Sequence, residues 1–345
     1  YTALPVFDNG IDPYSESIGG GQLLTKDQKG YSALLGQAYA KMMFGTRDLG
    51  LYTQLGYMRG KNGGVQGSGS RSTPSSFRGG LVEFYPHENF MIHAGYYDAT
   101  RPRTESSYDD LKTFDDEKID YIWQIGSTVE GYHGLDVDWF YVESEGFTSL
   151  LSGTIGYTFD LGNESHIMIE AHGENYDADD TKWKNGDYDN TADHYAFTAE
   201  MKYHNFMARA IYGYTDAEKE GALGKMNDQV VGNDYGSSPS RIGYIEGSFW
   251  YDEEQVIQLE TEYQFTTGFN AKVGYIYGDD MNDPTEDMNS ETEYFVELNY
   301  KMPEDSMFNG LSFRLMKAWL EEDFDSGNKD SEAMRAYIDY NISVF

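Results

Sequence analysis

The chain has 345 residues, with 25 basic and 59 acidic side chains, and its formal charge is −34 at neutral pH. This charge argues against a nucleic-acid partner, because the phosphate backbone requires a basic surface. Aromatic residues make up 16% of the chain, whereas disordered proteins are poor in them, so we expect the chain to fold. The absence of cysteine is compatible with an oxidising compartment such as the periplasm or the cell surface.

The hydropathy of the chain excludes one class of membrane protein and leaves another open. The mean hydropathy is −0.64 and no run of 18 apolar residues occurs, which excludes a transmembrane helix. A transmembrane β-strand needs only about 9–11 residues that are apolar at alternate positions. No charged-then-apolar signal segment opens the sequence, so we expect that an export signal was removed or not included.

Alternation with a period of two residues runs through much of the chain. It is clearest in five segments, residues 195–203, 206–214, 257–265, 269–277 and 292–300. In the last of these, Tyr294, Val296 and Leu298 share one face, while Glu293 and Glu297 share the other. Helical spacing is not sustained over a comparable length, so the sequence predicts an all-β chain.

The connections between the alternating segments are long and short in turn. Tight connections are expected at residues 45–48, 86–89, 130–134, 203–205 and 266–268, and long ones at 60–74, 100–117, 176–191, 216–253, 279–290 and 321–331. The short connection at 143–147 breaks the pattern. An outer-membrane barrel has short periplasmic turns and long extracellular loops, whereas a soluble sandwich has no reason to alternate them. A large sandwich stays the alternative, and a propeller is disfavoured because no repeat of roughly 40–50 residues is present.

The end of the chain also resembles a barrel. The final aromatic, Phe345, follows an alternating strand and is similar to the signal by which outer-membrane barrels are recognised for insertion. The apolar positions of this strand, from Ala336 to Val344, are one step out of phase with Phe345.

Several segments resemble the OprD-type substrate-specific porins. These are GLSFRLMKAW at 310–319, MRAYIDY at 334–340, the middle strands at 121–214 and RSTPSSF at 71–77. The resemblance covers most of the chain, although the loops do not match. It implies an 18-stranded antiparallel up-and-down barrel with a loop folded into the lumen and basic residues along the wall.

About 15 strands are visible from residue 30 onward, in a single domain spanning 1–345. Bacterial single-chain barrels have an even number of strands with both ends periplasmic. We therefore expect the sequence to begin inside an extracellular loop, about three strands late, unless one strand was merged or missed. Residues 60–74 are the candidate inward-folded constriction loop, because they contain five glycines, Lys61 and Arg71 but no carboxylate. An ordinary external loop is the alternative.

No enzyme motif is present, and the sequence predicts neither a catalytic site nor a cofactor. His166, Glu170, His172 and Glu174 share one strand face, but the two histidines are too far apart along one strand to bind a single ion unaided. We therefore predict no metal site there. Acidic loops, for example around Asp177, could bind Ca²⁺ through carboxylate oxygens.

The basic residues are rare and therefore informative. Six of them fall on the polar, lumen-facing parity, since a lipid-facing Lys or Arg at mid-membrane costs roughly 2–4 kcal/mol. Together with Arg71 in the loop, the predicted solute-guiding residues are Arg314, Arg335, Arg209, Lys202, Lys272 and Lys301, and the predicted acidic wall comprises Glu260, Glu262, Glu293 and Glu297.

The resemblance implies a role for the last two arginines. In the OprD-type family, arginines on the final strands form part of a ladder that guides carboxylates. Arg314 and Arg335 match such positions, whereas Met316 stands where another arginine is expected. The alternative is that the basic residues only neutralise nearby glutamates.

The leading hypothesis is a Gram-negative outer-membrane porin that passes small polar solutes, carboxylate-bearing or zwitterionic, such as amino acids or organic acids. Its expected partners are outer-membrane lipid and lipopolysaccharide, and it is expected to be a monomer or a loosely associated trimer. The second hypothesis is a surface-exposed barrel with a closed lumen whose acidic loops bind divalent ions or a partner. A barrel enzyme is the third.

Overall fold

The protein is described here by a computed structural model that covers residues 2–5, 31–34, 37–46, 49–60, 62–65, 75–102, 107–113, 116–178, 191–217, 249–266, 268–282, 288–303 and 306–340. All of its regular elements are strands: β1 (Thr2–Pro5), β2 (Tyr31–Leu34), β3 (Ala38–Gly45), β4 (Gly50–Met58), β5 (Ser76–His87), β6 (Phe90–Arg101), β7 (Asp109–Lys112), β8 (Lys118–Ile119), β9 (Ile122–Tyr132), β10 (Leu135–Ser144), β11 (Thr148–Gly162), β12 (Ser165–Ala178), β13 (Thr191–Tyr203), β14 (Phe206–Ala217), β15 (Gln255–Thr266), β16 (Phe269–Asp279), β17 (Met288–Lys301), β18 (Leu311–Phe324) and β19 (Lys329–Tyr340).

The strands β3–β19 form one antiparallel up-and-down sheet, and β1 pairs with β2 apart from it. The strands β7 and β8 are short and lie in the connection from β6 to β9. The long strands β6 and β9 pair directly with each other. The predicted all-β barrel architecture is therefore confirmed. Fifteen of these strands run the length of the sheet, which agrees with the number read from the sequence.

The period-two pattern places the two faces of each strand as predicted. In the register of β16 and β17, Val273 lies opposite Val296 and Lys272 lies opposite Glu297. The valines point outward, and the polar pair points to the interior. The outer face carries exposed apolar side chains such as Phe197, which is 59% exposed. This is the surface that lipid covers in an outer-membrane barrel.

Aromatic side chains cluster on the outer face at two levels. Near the tight turns, Phe265 lies with its ring centroid 5.4 Å from that of Phe269. Nearer the long connections, Tyr275 lies 5.2 Å from Tyr294 between ring centroids. Two such levels are typical of the aromatic girdles at the two membrane interfaces.

The interior is less polar than the sequence pattern predicts. In the half of the barrel near the long connections, buried apolar side chains from almost every strand form one cluster, including Tyr97, Phe140, Ile211, Ile276 and Phe295. Because lumen-facing positions alternate with lipid-facing ones, these residues lie on the same face as the polar wall residues of the other half. The half of the lumen near the long connections therefore contains a buried apolar cluster together with buried polar groups such as His194 and Glu293, and the other half carries ion-paired side chains.

Two connections on the side of the long loops are short. The connection between β10 and β11 is only residues 145–147, so the break in the alternation of long and short connections is real. The predicted long connection at 321–331 is wrong, because β18 continues to Phe324 and β19 begins at Lys329. The acidic residues Glu321, Glu322 and Asp323 fall within that predicted connection, but they pair in register with β17.

The seam between β19 and β3 differs from the other strand pairs. The strand order places β19 beside β3, as in a barrel. Within the described parts of these two strands, no residue-by-residue register joins them, and nearly all of their side chains are exposed on both faces. The seam is therefore an open edge in this structure, with backbone groups that lack the pairing present between the other long strands.

Candidate functional site

An ion-paired network crosses the charged half of the lumen wall. Arg209 on β14 lies in register between Glu200 on β13 and Glu260 on β15. Its Nη2 donates to Glu200 Oε2 at 2.6 Å, and its Nη1 donates to Glu260 Oε2 at 3.4 Å. Lys272 Nζ lies 3.6 Å from Glu260 Oε1, and His166 Nε2 lies 3.1 Å from Glu200 Oε1. Two predicted basic residues are thus held by acidic wall residues.

A second network lies on β17 and β18. Arg314 Nη2 donates to Glu297 Oε2 at 2.8 Å, and Asn299 Nδ2 donates to Glu297 Oε1 at 2.8 Å. The guanidinium of Arg314 also lies 5.9 Å from the centroid of the Tyr337 ring. The Arg314 side chain is 46% exposed, so its remaining donors face the solvent of the lumen.

Arg314 and Arg335 lie on adjacent strands but at different heights. Arg314 is opposite Tyr337, and Arg335 is opposite Met316, so the two arginines are two residue steps apart along the strands. At about 3.3 Å per residue this is an offset of about 7 Å. They are arranged as successive positions along the wall and do not directly oppose each other.

The other predicted wall residues take separate positions. Glu262 accepts a hydrogen bond from Asn270 Nδ2 at 2.8 Å, and Glu293 is fully buried among the lumen side chains. Lys202 is exposed near the tight turn between β13 and β14. The residue Arg71 lies outside the described part of the chain.

A cavity of about 820 Å³ opens at the end of the lumen that carries the tight turns. It is lined by side chains from β15 to β19, among them Lys301, Arg314 and Asp339 together with the amides of Gln264, Asn270 and Asn299. The cavity therefore offers two cations, one carboxylate and several amides to a passing solute.

Residues 62–65 lie against the inner wall at the opposite end. The carbonyl oxygen of Asn62 accepts a hydrogen bond from Gln124 Nε2 at 2.8 Å, and its amide donates to Glu83. A Cβ on Gly64 would lie 2.5 Å from Val142 Cγ1, so only glycine allows this approach. These four residues belong to the segment expected to fold inward, and they contact lumen-facing side chains.

Residues 249–254 form a second segment on the inner wall. Phe249 and Trp250 are buried, and the indole ring of Trp250 lies 6.3 Å from the His194 ring between centroids. The sequence predicts a long polar connection at 216–253, and its pattern does not predict this inward segment. The signal that could have found it is the run of three aromatics, from Phe249 to Tyr251, inside an otherwise polar connection.

The histidine and glutamate cluster noted in the sequence is divided by the structure. His166 pairs with Glu200, whereas His172 Nδ1 lies 2.8 Å from Thr154 Oγ1 and its Nε2 lies 3.0 Å from Glu174 Oε1. In the part of the chain that the structure describes, no three histidine, aspartate or glutamate side chains converge as metal ligands.

Comparison with known proteins now decides the family. The model of the outer membrane porin family OprD matches residues 36–344, which is most of the chain. The chain belongs to the OprD family. A search of curated protein sequences found no match. In the described residues, no helix is long and apolar enough to cross a membrane.

Solved structures of OprD-type channels are similar in fold. OccAB1 of Acinetobacter baumannii is 14% identical with a TM-score of 0.77, covering 94% of this chain and 82% of that one. OccAB3 of the same organism is 16% identical with a TM-score of 0.75, covering 93% and 81%. OpdK of Pseudomonas aeruginosa with vanillate is 16% identical with a TM-score of 0.73, covering 92% and 82%. A barrel of 18 strands is consistent with these neighbours.

Family membership fixes the general role of this OprD protein. It is an outer-membrane porin of Gram-negative type, a transport channel that passes small solutes. The end with the long connections is then extracellular, and the end with the 820 Å³ cavity is periplasmic.

Proposed function

We propose that this porin passes small carboxylate-bearing or zwitterionic solutes, such as amino acids or organic acids. The observation that carries the proposal is the periplasmic cavity, where Arg314 and Lys301 supply cations and Asp339 supplies one carboxylate. Carboxylates bind well to guanidinium groups through charge-assisted hydrogen bonds. OpdK was solved with vanillate, an aromatic carboxylate, and this supports the same solute class.

Three of the basic residues along the proposed solute path are already in contact with acidic wall residues. Arg209, Lys272 and Arg314 each contact a glutamate, so their charge is partly balanced before a solute arrives. Arg335 is two residue steps from Arg314 and exposed. We expect these two arginines to contact the carboxylate in succession, and we expect Arg209 and Lys272 mainly to set the charge of the wall.

Residues 60–74 are proposed as a constriction loop. The contacts of Asn62 and Gly64 with the inner wall support this role. The outer face is proposed to contact lipid and lipopolysaccharide. The protein is proposed to be a monomer or a loosely associated trimer.

The test is solute uptake by liposomes that contain the purified full chain. Uptake of small organic acids and amino acids, faster than that of neutral sugars of equal size, is expected. Equal uptake of both classes would contradict the carboxylate preference but leave the channel role standing.

A closed barrel that binds ions or partners at its surface is the second candidate. The apolar cluster that occupies the extracellular half of the lumen favours it. Conductance across a planar bilayer separates the two candidates, because a closed barrel gives no current steps.

A further inference from the structure

Two charged side chains of opposite sign face the periplasmic cavity from either side of Ser312. Lys301 on β17 and Asp339 on β19 both lie in register with Ser312 on β18. Neighbouring strands are about 4.8 Å apart, so the Cα atoms of Lys301 and Asp339 are about 10 Å apart. Within the described parts of the chain, neither side chain forms an ion pair or a hydrogen bond, and both are exposed. The cavity therefore holds a cation and an anion that do not neutralise each other by direct contact.

Arg314 adds a second cation to the same wall, two residue steps along β18 from Ser312. Its Nη2 donates to Glu297 at 2.8 Å, and its remaining donors face the lumen. Together, these two cations and two carboxylates have no net charge. A neutral set of separated charges suits a solute that carries both signs, whereas a simple organic anion meets Asp339 as a like charge.

The β16 side of the cavity contains an acceptor that lacks a donor. Asn270 Nδ2 donates to Glu262 Oε1 at 2.8 Å. The Oδ1 atom of Asn270 is buried and, among the residues that the structure describes, accepts no hydrogen bond. Such an acceptor costs free energy until water or a solute N–H group donates to it. The cavity therefore favours a solute that brings donors as well as a carboxylate.

We propose that the periplasmic cavity is a subsite for zwitterionic solutes and that Asp339 is the residue that selects them. The solute carboxylate binds Lys301 and the remaining donors of Arg314, and the solute ammonium group donates to Asp339. The hydroxyl of Ser312 lies between the two charged positions. The inference rests on the proposed function and narrows it, because it places α-amino acids above organic acids that have the same carbon skeleton but no ammonium group.

The experiment measures binding to the purified full chain in lipid nanodiscs by saturation-transfer NMR. The probes are alanine and propanoate, which share a carboxylate and a carbon skeleton and differ in the ammonium group. At neutral pH alanine is a zwitterion and propanoate is an anion. We expect alanine to bind severalfold more tightly, because only alanine has a donor for Asp339. Binding is measured in place of flux, so the result does not depend on whether the probes cross the barrel.

Two variants test the assigned roles. Asp339→Asn keeps the shape of the side chain and removes its charge, so alanine binding should fall severalfold while propanoate binding should rise. Lys301→Gln should weaken the binding of both probes, since both present a carboxylate.

Asp160→Asn is the matched control. Asp160 lies on β11 near a tight turn at the same end of the barrel, and it accepts the Gly162 amide at 2.8 Å, which an asparagine oxygen can also accept. The ratio of alanine to propanoate affinity in this variant should equal that of the parent.

Equal affinities of the parent for the two probes, or the parent's ratio retained in Asp339→Asn, would overturn the proposal. A ratio that Asp160→Asn lowers as much as Asp339→Asn does would also overturn it, because the effect is then one of overall charge at the periplasmic end. A ratio that only Asp339→Asn abolishes supports it.

Uptake by liposomes separates this inference from the proposed function. If propanoate enters faster than a neutral sugar but the parent binds alanine no more tightly, the carboxylate class stands and the zwitterion subsite fails. If Asp339→Asn abolishes the binding preference but neither probe enters faster than the sugar, the subsite stands and the proposed function fails.

Discussion

At the residue scale, the basic side chains of the wall divide into two groups. Arg209 is held between Glu200 and Glu260, whereas Arg314 has one glutamate partner and a half-exposed side chain. A guanidinium with free donors can bind a solute carboxylate, while one whose donors are already occupied cannot do so without breaking its ion pairs. Substitutions in the two groups are therefore expected to have different effects on solute uptake and stability.

The first prediction concerns Arg314 and Arg335. Changing either to Glu should reduce carboxylate uptake severalfold, because a passing carboxylate then meets a like charge. The barrel should still fold, but Arg314→Glu should lower its stability, because it removes the cation that neutralises the mostly buried Glu297. Uptake by liposomes and strand content by circular dichroism measure the two effects. Uptake equal to that of the parent in both single variants would mean that these arginines only balance acidic residues.

The second prediction concerns Arg209. Replacing it with Gln leaves Glu200 and the buried Glu260 with one cation fewer, so the wall becomes more negative and the barrel less stable. The cation-to-anion permeability ratio should rise, and the thermal unfolding temperature should fall. Lys202→Gln is the control, because this exposed lysine lies in register with His166 but forms no ion pair within the described residues, and it should leave the unfolding temperature unchanged.

At the element scale, two segments from long connections lie on the inner wall. Residues 62–65 contact β9 and β10 through Gln124 and Val142, and residues 249–254 contact β14 and β17 through Thr215 and Glu291. Both segments narrow the same half of the lumen. Their backbones are held by hydrogen bonds to strand residues, which is a firmer attachment than that of an external loop.

The third prediction concerns the first of these segments. Deleting residues 63–70 should raise single-channel conductance, because the Gly63 and Gly64 backbone no longer occupies space beside Phe140 and Val142. Deleting residues 181–188 from the connection between β12 and β13 is the control of equal length. If the two deletions give the same conductance as the parent, residues 60–74 act as an ordinary external loop.

At the scale of the whole molecule, the charge of −34 is distributed unevenly. Acidic residues dominate the extracellular rim, where Asp216, Asp279 and Asp323 lie at or next to the ends of their strands. In the lumen, glutamates and basic residues are paired, so the wall is closer to neutral. Cations are therefore concentrated at the mouth, while anionic groups are accommodated deeper in the channel.

The fourth prediction follows from this distribution. The channel should prefer cations modestly, and the preference should grow as the salt concentration falls, because exposed rim charges are screened by salt. The reversal potential in a salt gradient, measured at two ionic strengths, tests it. A strong preference for anions at physiological salt would contradict the assignment of the acidic rim to the mouth.

The sequence by itself determined the strands, their faces and the family. Alternation such as that of Tyr294, Val296 and Leu298 against Glu293 and Glu297 requires only that successive side chains point to opposite sides of a sheet. The lumen parity of Arg209, Lys272 and Arg314 follows from the same rule. These features could be predicted because they depend on neighbours along the chain.

Only the tertiary structure decided which lumen groups meet and what occupies the lumen. The ion pairs of Arg209 depend on the register of three strands, and the position of Trp250 depends on contacts with strands that are far away in sequence. The end of β18 at Phe324 was also misplaced, because its acidic residues look like loop until they are paired with β17. Strand register and the inward folding of connecting segments are set by contacts between residues that are distant in sequence. The alternating pattern within one strand therefore does not predict them.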